Sequence, residues 1–154
     1  MRSVLRSRPG ERGQTVIEFA LLAPVIILFI FMIVDFGIAM DRRIVLQHAV
    51  REGARMAAVN DDIGEVCDHT VAEAQGIITA TDITFSYEDL DDPPNGRATD
   101  AGDSVKVKAS FAYEFPILGE VLSAFGGGPL SIDMTPWGTA RLELSVPGET
   151  ECPP

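Results

Sequence analysis

The chain is poor in basic residues and in cysteine, and each shortage argues against a class of protein. Its 154 residues include 12 basic and 23 acidic side chains, for a net charge of −11. Because phosphate binding requires clustered Lys and Arg, this balance argues against nucleic acid as the partner. Two cysteines are too few for a disulfide-dense miniprotein, and 46% hydrophobic residues are too many for a disordered chain. The length allows one modest domain at most.

Motifs for catalysis are also missing from the sequence. It has no phosphate-binding glycine loop, no nucleophile elbow and no HExxH. Cys67, Asp68 and His69 are consecutive, so on a helix they would point in different directions and make a poor zinc site. A second acidic cluster lacks the spacing of a calcium-binding loop, and we interpret it as a solvated surface loop. It consists of Asp89, Asp91, Asp92, Asp100 and Asp103. The sequence therefore predicts no enzyme activity, no metal and no cofactor.

Charge is absent from one long apolar stretch, residues 19–34, and apolar character continues to Met40. As an α-helix, residues 19–40 would extend about 33 Å, roughly the thickness of a hydrocarbon core. Pro24 removes a backbone donor, so we expect a bend near residues 20–24. We expect Asp35, near the outer end, to be solvated by water or headgroups. The sequence predicts a single membrane-spanning helix, with the lipid bilayer as its surroundings.

The charges on either side of this span leave its orientation open. Residues 1–13 carry four arginines and one glutamate, a basic head suited to a cytoplasmic anchor beside anionic lipid. Four arginines also follow the span, so the positive-inside rule alone does not decide. A cleaved signal peptide is the competing interpretation, with a small-x-small site at residues 37–39. The apolar stretch is longer than the ~7–15 residues of a signal core, and helical patterning continues beyond it, which favours a retained helix.

Beyond the span the pattern predicts an α+β head. Apolar residues at helical spacing extend the first helix as a stalk to about Val59, with His48 as a polar side chain on it. Asp62 followed by Glu65 is typical of a capping box that opens a second helix. Alternating apolar residues then predict a small antiparallel sheet of about three strands, over residues 83–87, 105–113 and 140–146, the second ended by Pro116. Residues 60–154 are assigned to this head.

The residues before the span form the most informative cluster. A glycine, four residues and then Glu-Phe open an apolar helix behind a basic head: Gly13-Gln14-Thr15-Val16-Ile17-Glu18-Phe19. Pro24, the run Val34-Asp35-Phe36-Gly37 and the stalk segment at residues 50–55 continue the pattern. Residues 13–59 resemble the TadE-like family of minor pseudopilins of Flp/Tad pilus systems. Phe19 replaces the tyrosine of the major Flp pilins, which favours a minor subunit.

The resemblance implies a processed structural subunit of the pilus or of its assembly complex. A prepilin peptidase would cut between Gly13 and Gln14 and remove the basic leader, residues 1–13; Gly10 is a poor rival, because an acid does not follow it at the required spacing. Residues 14–59 would form the membrane helix and stalk. The implied partners are the major Flp-type pilin, other minor pilins, the prepilin peptidase and the assembly platform. The implied location is the cytoplasmic membrane, with a cytoplasmic amino terminus, an extracytoplasmic head and incorporation into a cell-surface pilus.

Glu18 has a physical reason to seek a partner. A carboxylate at membrane depth costs about 2.5–3.5 kcal/mol on insertion scales. Cleavage would free an α-amine on Gln14, with a pKa near ~8, one helical turn from Glu18. Glu18 and Phe19 are thus the predicted assembly residues, with Glu18 pairing the amine of its own or an adjacent chain. The simpler interpretation is that Glu18 lies among headgroups.

Two alternatives remain open from the sequence. Cys67 and Cys152 would pair as a disulfide if the head faces an oxidising compartment, and otherwise would remain free buried thiols. For function, the alternative to a pilin is a single-pass, membrane-anchored extracytoplasmic binding module with an uncleaved amino terminus.

Overall fold

The computed structural model describes residues 11–91 and 93–153. Most of the predicted leader, and Asp92 of the acidic loop, lie outside the described residues. The order of elements is α–α–β–β–β–α–β–β, so the predicted α+β class is confirmed. A short 3-10 helix, Ala80–Asp82, precedes the first strand.

The first helix, α1, spans Glu11–Ala57 and contains the whole apolar stretch. Its two halves differ in packing. Up to residue 34 its described side chains are exposed apart from the half-buried Ala23 and Phe31, whereas Leu46, Val50 and Ala54 are fully buried. The burial of every third or fourth residue in the second half explains why the helical pattern continues past the span. The predicted stalk therefore forms, and its helix ends two residues before Val59.

The second helix, α2, spans Ile63–Glu73 and packs on the second half of α1. Asp62 caps it by accepting hydrogen bonds from the backbone N–H groups of Gly64 and Glu65, as predicted. The reciprocal half of the capping box is replaced: the Asp62 N–H donates to the Asn60 side chain, and Glu65 accepts from the Asn60 amide. Asn60 therefore takes the place that the sequence assigned to Glu65.

The strands form two antiparallel sheets. The first contains β1 (Ile83–Glu88), β2 (Ser104–Ala109) and β5 (Trp137–Arg141), with β2 in the centre. The second pairs β3 (Phe111–Glu114) with β4 (Ser131–Met134). Between β3 and β4 lies a third helix, α3 (Pro116–Ala124).

Two details of the predicted strands are wrong. The long strand over 105–113 is divided at Ser110, whose N–H donates to Asp82 O, so β2 and β3 join different sheets. The third strand lies at 137–141 rather than 140–146, because the N–H groups of Glu143 and Val146 donate to Ala58 O and Thr99 O instead of to a strand. Beyond Leu142, whose backbone still bonds to Gly102 and Asp103, the alternation reflects burial without strand pairing. The second strand segment ends before Pro116, as predicted, and Pro116 also begins a helix that was not predicted.

The core of the head lies between the second half of α1, α2 and the three-stranded sheet. Gly138 of β5 lies directly against the α1 backbone: a Cβ there would lie 2.6 Å from Val50 O and 2.8 Å from Arg51 Cα. A strand can approach the α1 backbone this closely only where it has no side chain. The Gln47 side-chain amide fixes the same contact by donating to Trp137 O at 2.8 Å.

Candidate functional site

The residues at the predicted cleavage site lie within α1. Within the described residues α1 is helical from Glu11, so the Gly13–Gln14 peptide bond is part of it. One turn later, Glu18 Oε1 accepts a hydrogen bond from Gln14 Nε2 at 3.2 Å, and both side chains are exposed. The structure thus brings Gln14 and Glu18 together in the intact chain. Cleavage after Gly13, and pairing of Glu18 with a freed amine, remain predictions.

The apolar surface that follows is uncovered by the head over most of its length. Phe19 is 66% exposed, and none of the most apolar 18-residue window of α1 is buried. The helix is long and apolar enough to cross a membrane. The core helix of a soluble domain would instead have this window packed inside the protein. The exposed half of α1 therefore favours a lipid or helix-bundle environment.

The helix is continuous through Pro24. Proline inside a helix removes one hydrogen bond and crowds the preceding turn. The predicted bend near residues 20–24 remains a prediction.

The prediction for Asp35, at the outer end of the span, is wrong. The sequence predicted a solvated carboxylate, but its side chain is fully buried. Asp35 Oδ2 accepts hydrogen bonds from the backbone N–H groups of Ile117 at 3.1 Å and Leu118 at 2.7 Å, in the first turn of α3. Phe115, at the local N-cap position, makes no side-chain cap. A carboxylate from α1 therefore caps α3, and the positive end of the α3 dipole stabilises its charge.

A small aromatic cluster lies just beyond Asp35. Ala39 is buried against Tyr113 and Met134, and the Tyr113 and Phe115 rings meet edge to face with centroids 5.2 Å apart. Burial raises the pKa of the Tyr113 hydroxyl, the negative charge of Asp35 raises it further, and Arg42 opposes the shift. This cluster determines the position along α1 at which the two-stranded sheet packs.

The two cysteines form a disulfide. Cys67 on α2 is bonded to Cys152 near the end of the chain, with Cα atoms 5.9 Å apart and a sequence separation of 85. This outcome resolves the choice between a bridge and two free thiols. Both thiols are consumed, so neither can serve as a metal ligand beside His69.

The acidic loop is more ordered than the predicted solvated loop. Asp103 is fully buried and accepts the N–H groups of Leu90 and Asp100, each at 2.9 Å. Asp89 accepts the N–H groups of Asp91 and Gly96 at 3.0 and 2.8 Å. The carboxylates of Asp89, Asp91 and Asp103 have oxygens within 4.8 Å of one another. These backbone hydrogen bonds account for the clustering, because each of them closes part of the loop.

His48 lies on the stalk surface as predicted. Its Nδ1 is 3.5 Å from Glu73 Oε2 of α2, and the two side chains are substantially exposed. An exposed pair of this kind contributes little to stability. The pair lies at the contact between α1 and α2, and its geometry does not indicate a catalytic or metal-binding role.

The position of α1 in the head bears on the signal-peptide interpretation. A cut after Ala39 would fall in a continuous helix, at a side chain that is 1% exposed. It would also separate Asp35 from the helix that it caps. This packing favours a retained α1.

Comparison with known proteins agrees with the sequence motifs. Residues 13–55 match the family model for TadE-like protein. The TadE-like resemblance is thereby confirmed for α1 from the glycine to within two residues of its end. The match does not extend to α2 or to the sheets. No curated protein and no solved structure gives a significant match to the chain.

Two features of this region were missed in the sequence: the capping role of Asp35 and the presence of α3. A signal for α3 was available, because proline is favoured at the first helical position and Ile117, Leu118, Val121 and Leu122 follow at helical spacing. The Asp35 contact had no local signal. Its partners are more than eighty residues away, at Ile117 and Leu118.

Proposed function

We propose that this chain is a TadE-like minor pilin, a structural subunit that takes part in Flp/Tad pilus assembly. The observation that carries the proposal is the glycine at residue 13, followed by Glu18 at the start of a long, uncovered apolar helix, within the segment that matches the TadE-like family. That match supports a structural role rather than a catalytic one. The proposed partners are the major Flp-type pilin, other minor pilins, the prepilin peptidase and the assembly platform.

The proposed topology has the amino terminus in the cytoplasm and the head outside. The Cys67–Cys152 disulfide supports an extracytoplasmic head, because disulfides persist in oxidising compartments. The basic leader supports a cytoplasmic start beside anionic lipid. The exposed apolar half of α1 would hold the subunit in the cytoplasmic membrane until it enters the fibre.

Processing would supply the polar partner that Glu18 requires. Removal of residues 1–13 takes away a net charge of +3 and leaves a protonated α-amine on Gln14. The Gln14 and Glu18 side chains already touch at 3.2 Å, so a carboxylate lies within one turn of the new terminus. In a fibre, the Glu18 carboxylate would pair with the amine of the same or a neighbouring subunit and would set the axial register of packed helices.

Paired glycine variants test the processing step. Gly13→Ala should leave the leader attached when the chain is expressed with its peptidase, while Gly10→Ala should be processed as the wild type is. Mass spectrometry of the membrane-extracted protein distinguishes the long and short forms. Processing of Gly13→Ala at the normal site would contradict the proposal, and so would equal loss of processing in both variants.

A second variant separates the pilin from an anchored binding module. Glu18→Ala should still be cut after Gly13, but should be depleted at least tenfold from the sheared fibre fraction. Glu18→Gln retains the size of the side chain and isolates the effect of its charge. A binding module would keep its leader and would tolerate both changes at residue 18.

A further inference from the structure

The third helix lies alongside the apolar half of α1. Its first turn is held at the level of Asp35 by the hydrogen bonds from Ile117 and Leu118. Its far end, at Phe125, borders an open groove with Pro24, Val25 and Leu28. Because the contacts run from residue 35 at one end to residues 24–28 at the other, α3 points back toward the amino terminus of α1.

This placement has a consequence for depth in the bilayer. Nine helical residues extend about 14 Å, and the stretch of α1 from residue 35 back to residue 26 covers about the same distance. A hydrocarbon core needs about 20 helical residues. If the outer boundary lay below α3, only residues 14–25, about 18 Å of helix, would remain for the span. That length is well short of what is required, so α3 must share the depth of the span.

The composition of this segment fits an apolar environment. Residues 115–132 contain one charged side chain, Glu120. Leu122, Leu130 and Ile132 are exposed, and Phe125 is 85% exposed. Glu120 and Ser123 line a separate cleft, together with Glu114, Gly119 and Leu130. The polar side chains of α3 therefore lie in a different cleft from Val121 and Phe125, which border the groove beside the span.

Backbone hydrogen bonds form the turn at the tip of α3. The N–H groups of Phe125 and Gly127 donate to Leu122 O, and that of Gly126 donates to Ser123 O. The Ser123 hydroxyl donates to Glu120 O at 2.8 Å. Pro129 has no N–H, and the Phe115 N–H donates to Leu130 O where the chain returns. The backbone N–H groups of Phe125, Gly126 and Gly127 are thus satisfied within the chain, as entry into lipid requires.

The groove between α1 and α3 has the character of an acyl-chain site. It has a volume of about 420 Å³ and its lining side chains include Pro24, Val25, Leu28, Phe31, Val121 and Phe125. All of these are apolar. One wall is the predicted span itself, so the groove is continuous with the surface that lipid would cover.

We infer that α3 and its glycine turn form a re-entrant element that enters the outer leaflet of the bilayer beside the span, with a lipid acyl chain in the groove between the two helices. This inference rests on the proposed membrane anchorage of α1 and adds a second immersed segment to it. The chain would then contact the outer leaflet through two helices, and the capped Asp35 would lie within the membrane rather than at its surface.

Depth-dependent fluorescence quenching tests the immersion of α3. The chain has one tryptophan, Trp137, so Trp137→Phe provides a background without tryptophan fluorescence. Phe125→Trp places a single reporter at the tip of α3, and Phe29→Trp places a matched reporter on the exposed face of the span. Each full-length variant is reconstituted at high dilution into phosphatidylcholine vesicles with or without bromine atoms midway along the acyl chains.

The expected result is quenching at residue 125 that is at least half as strong as at residue 29. Strong quenching at residue 29 with none at residue 125 would overturn the re-entrant element and leave the anchorage of α1 intact. Absence of quenching at both residues would overturn the anchorage and the inference together. Quenching at residue 125 that disappears on dilution of the protein would assign α3 to contact with a second copy, which also contradicts the inference.

Discussion

The two halves of α1 lie in one unbroken helix but have opposite surroundings. From Phe19 to Val34 the helix is apolar on every side and mostly uncovered, whereas from Asp35 onward one face is buried in the head and the other is largely polar. The first half has no preferred face, which is typical of a helix in lipid. The second half has the spacing of a helix in a water-soluble core. Uniform and one-sided apolar patterns therefore distinguish the two environments.

The boundary between the halves is marked by a polar residue. Asp35 is the first fully buried side chain among those described along α1, and backbone N–H groups of α3 stabilise it. A buried carboxylate without such donors would be costly. Its Oδ1 has no hydrogen-bond partner among the described residues, so both donors act on one oxygen. The contact between α1 and the head therefore begins at Asp35, whose carboxylate binds the first turn of α3.

Removing the disulfide should have the largest effect on the stability of the head, without affecting the membrane association of the apolar half of α1. A bridge that closes a loop of this length stabilises by about 4–5 kcal/mol in the chain-entropy model. The Cys67→Ser, Cys152→Ser double variant should lose that much unfolding free energy in the head, measured by urea titration in detergent with near-ultraviolet circular dichroism. Extraction from membranes by alkaline carbonate should be unchanged. An unaltered urea midpoint would contradict this account of the head.

A pair of leucine truncations tests the comparison within one helix. Leu46 is fully buried in the core, while Leu21 is 72% exposed on the apolar half. Leu46→Ala should cost the head about 2–5 kcal/mol, as for other buried leucines. Leu21→Ala should leave the urea midpoint of the head unchanged. Equal losses in the two variants would show that the halves are not energetically separate.

Loss of the Asp35 cap should have a smaller and more local effect. Replacing a capping side chain with alanine costs about 0.5–2 kcal/mol. Asp35→Ala should therefore speed hydrogen exchange at the Ile117 and Leu118 amides by up to about thirtyfold, while β2 remains protected. Asp41→Ala, at an exposed position on the same helix, is the matched control. Unchanged exchange in the Asp35 variant would mean that α3 is held by apolar contacts alone.

Ionisation of the two tyrosines at alkaline pH should have the smallest effect on the stability of the head. Burial, and secondarily Glu149, raises the pKa of Tyr87 above its ordinary 10.0, and burial with Asp35 raises that of Tyr113. The folded state therefore favours the neutral phenols. Stability should be retained below pH 10.0 and should fall as the pH rises through and beyond that value.

Phenolate absorbance measures this titration. Both phenols should ionise with midpoints above pH 10.0, and Asp35→Ala should lower the midpoint of Tyr113 without moving that of Tyr87. A combined midpoint at or below the ordinary value would contradict the burial of the two rings.

Features set by local pattern could be predicted from the sequence. The long helix, the capping of α2 by Asp62 and strand β1 follow from periodicity and from the chemistry of helix ends. The glycine and glutamate of the TadE-like motif could be identified in the same way, because their spacing is encoded in consecutive residues. Disulfide formation could be expected only as one of two alternatives, since pairing depends on how the tail returns to α2.

Features set by distant contacts could not be predicted. The strand that was expected over 105–113 changes partners at Ser110, and nothing within it signals Asp82 as the new acceptor. The alternation at Leu142, Leu144 and Val146 records burial, although the backbone there bonds to a helix end and a loop. Asp35 looked like a surface residue because its partners lie in α3. In each case the missing information is the identity of a partner far along the chain.

The mass of the native chain tests the central claim most directly. Fibres sheared from cells that assemble the pilus, and membranes from the same cells, would be analysed by intact-mass and tandem mass spectrometry under non-reducing conditions. The account predicts a chain that begins at Gln14, carries the Cys67–Cys152 bridge and is found in both fractions. A chain that retains Met1 through Gly13 and is absent from the fibres would contradict it.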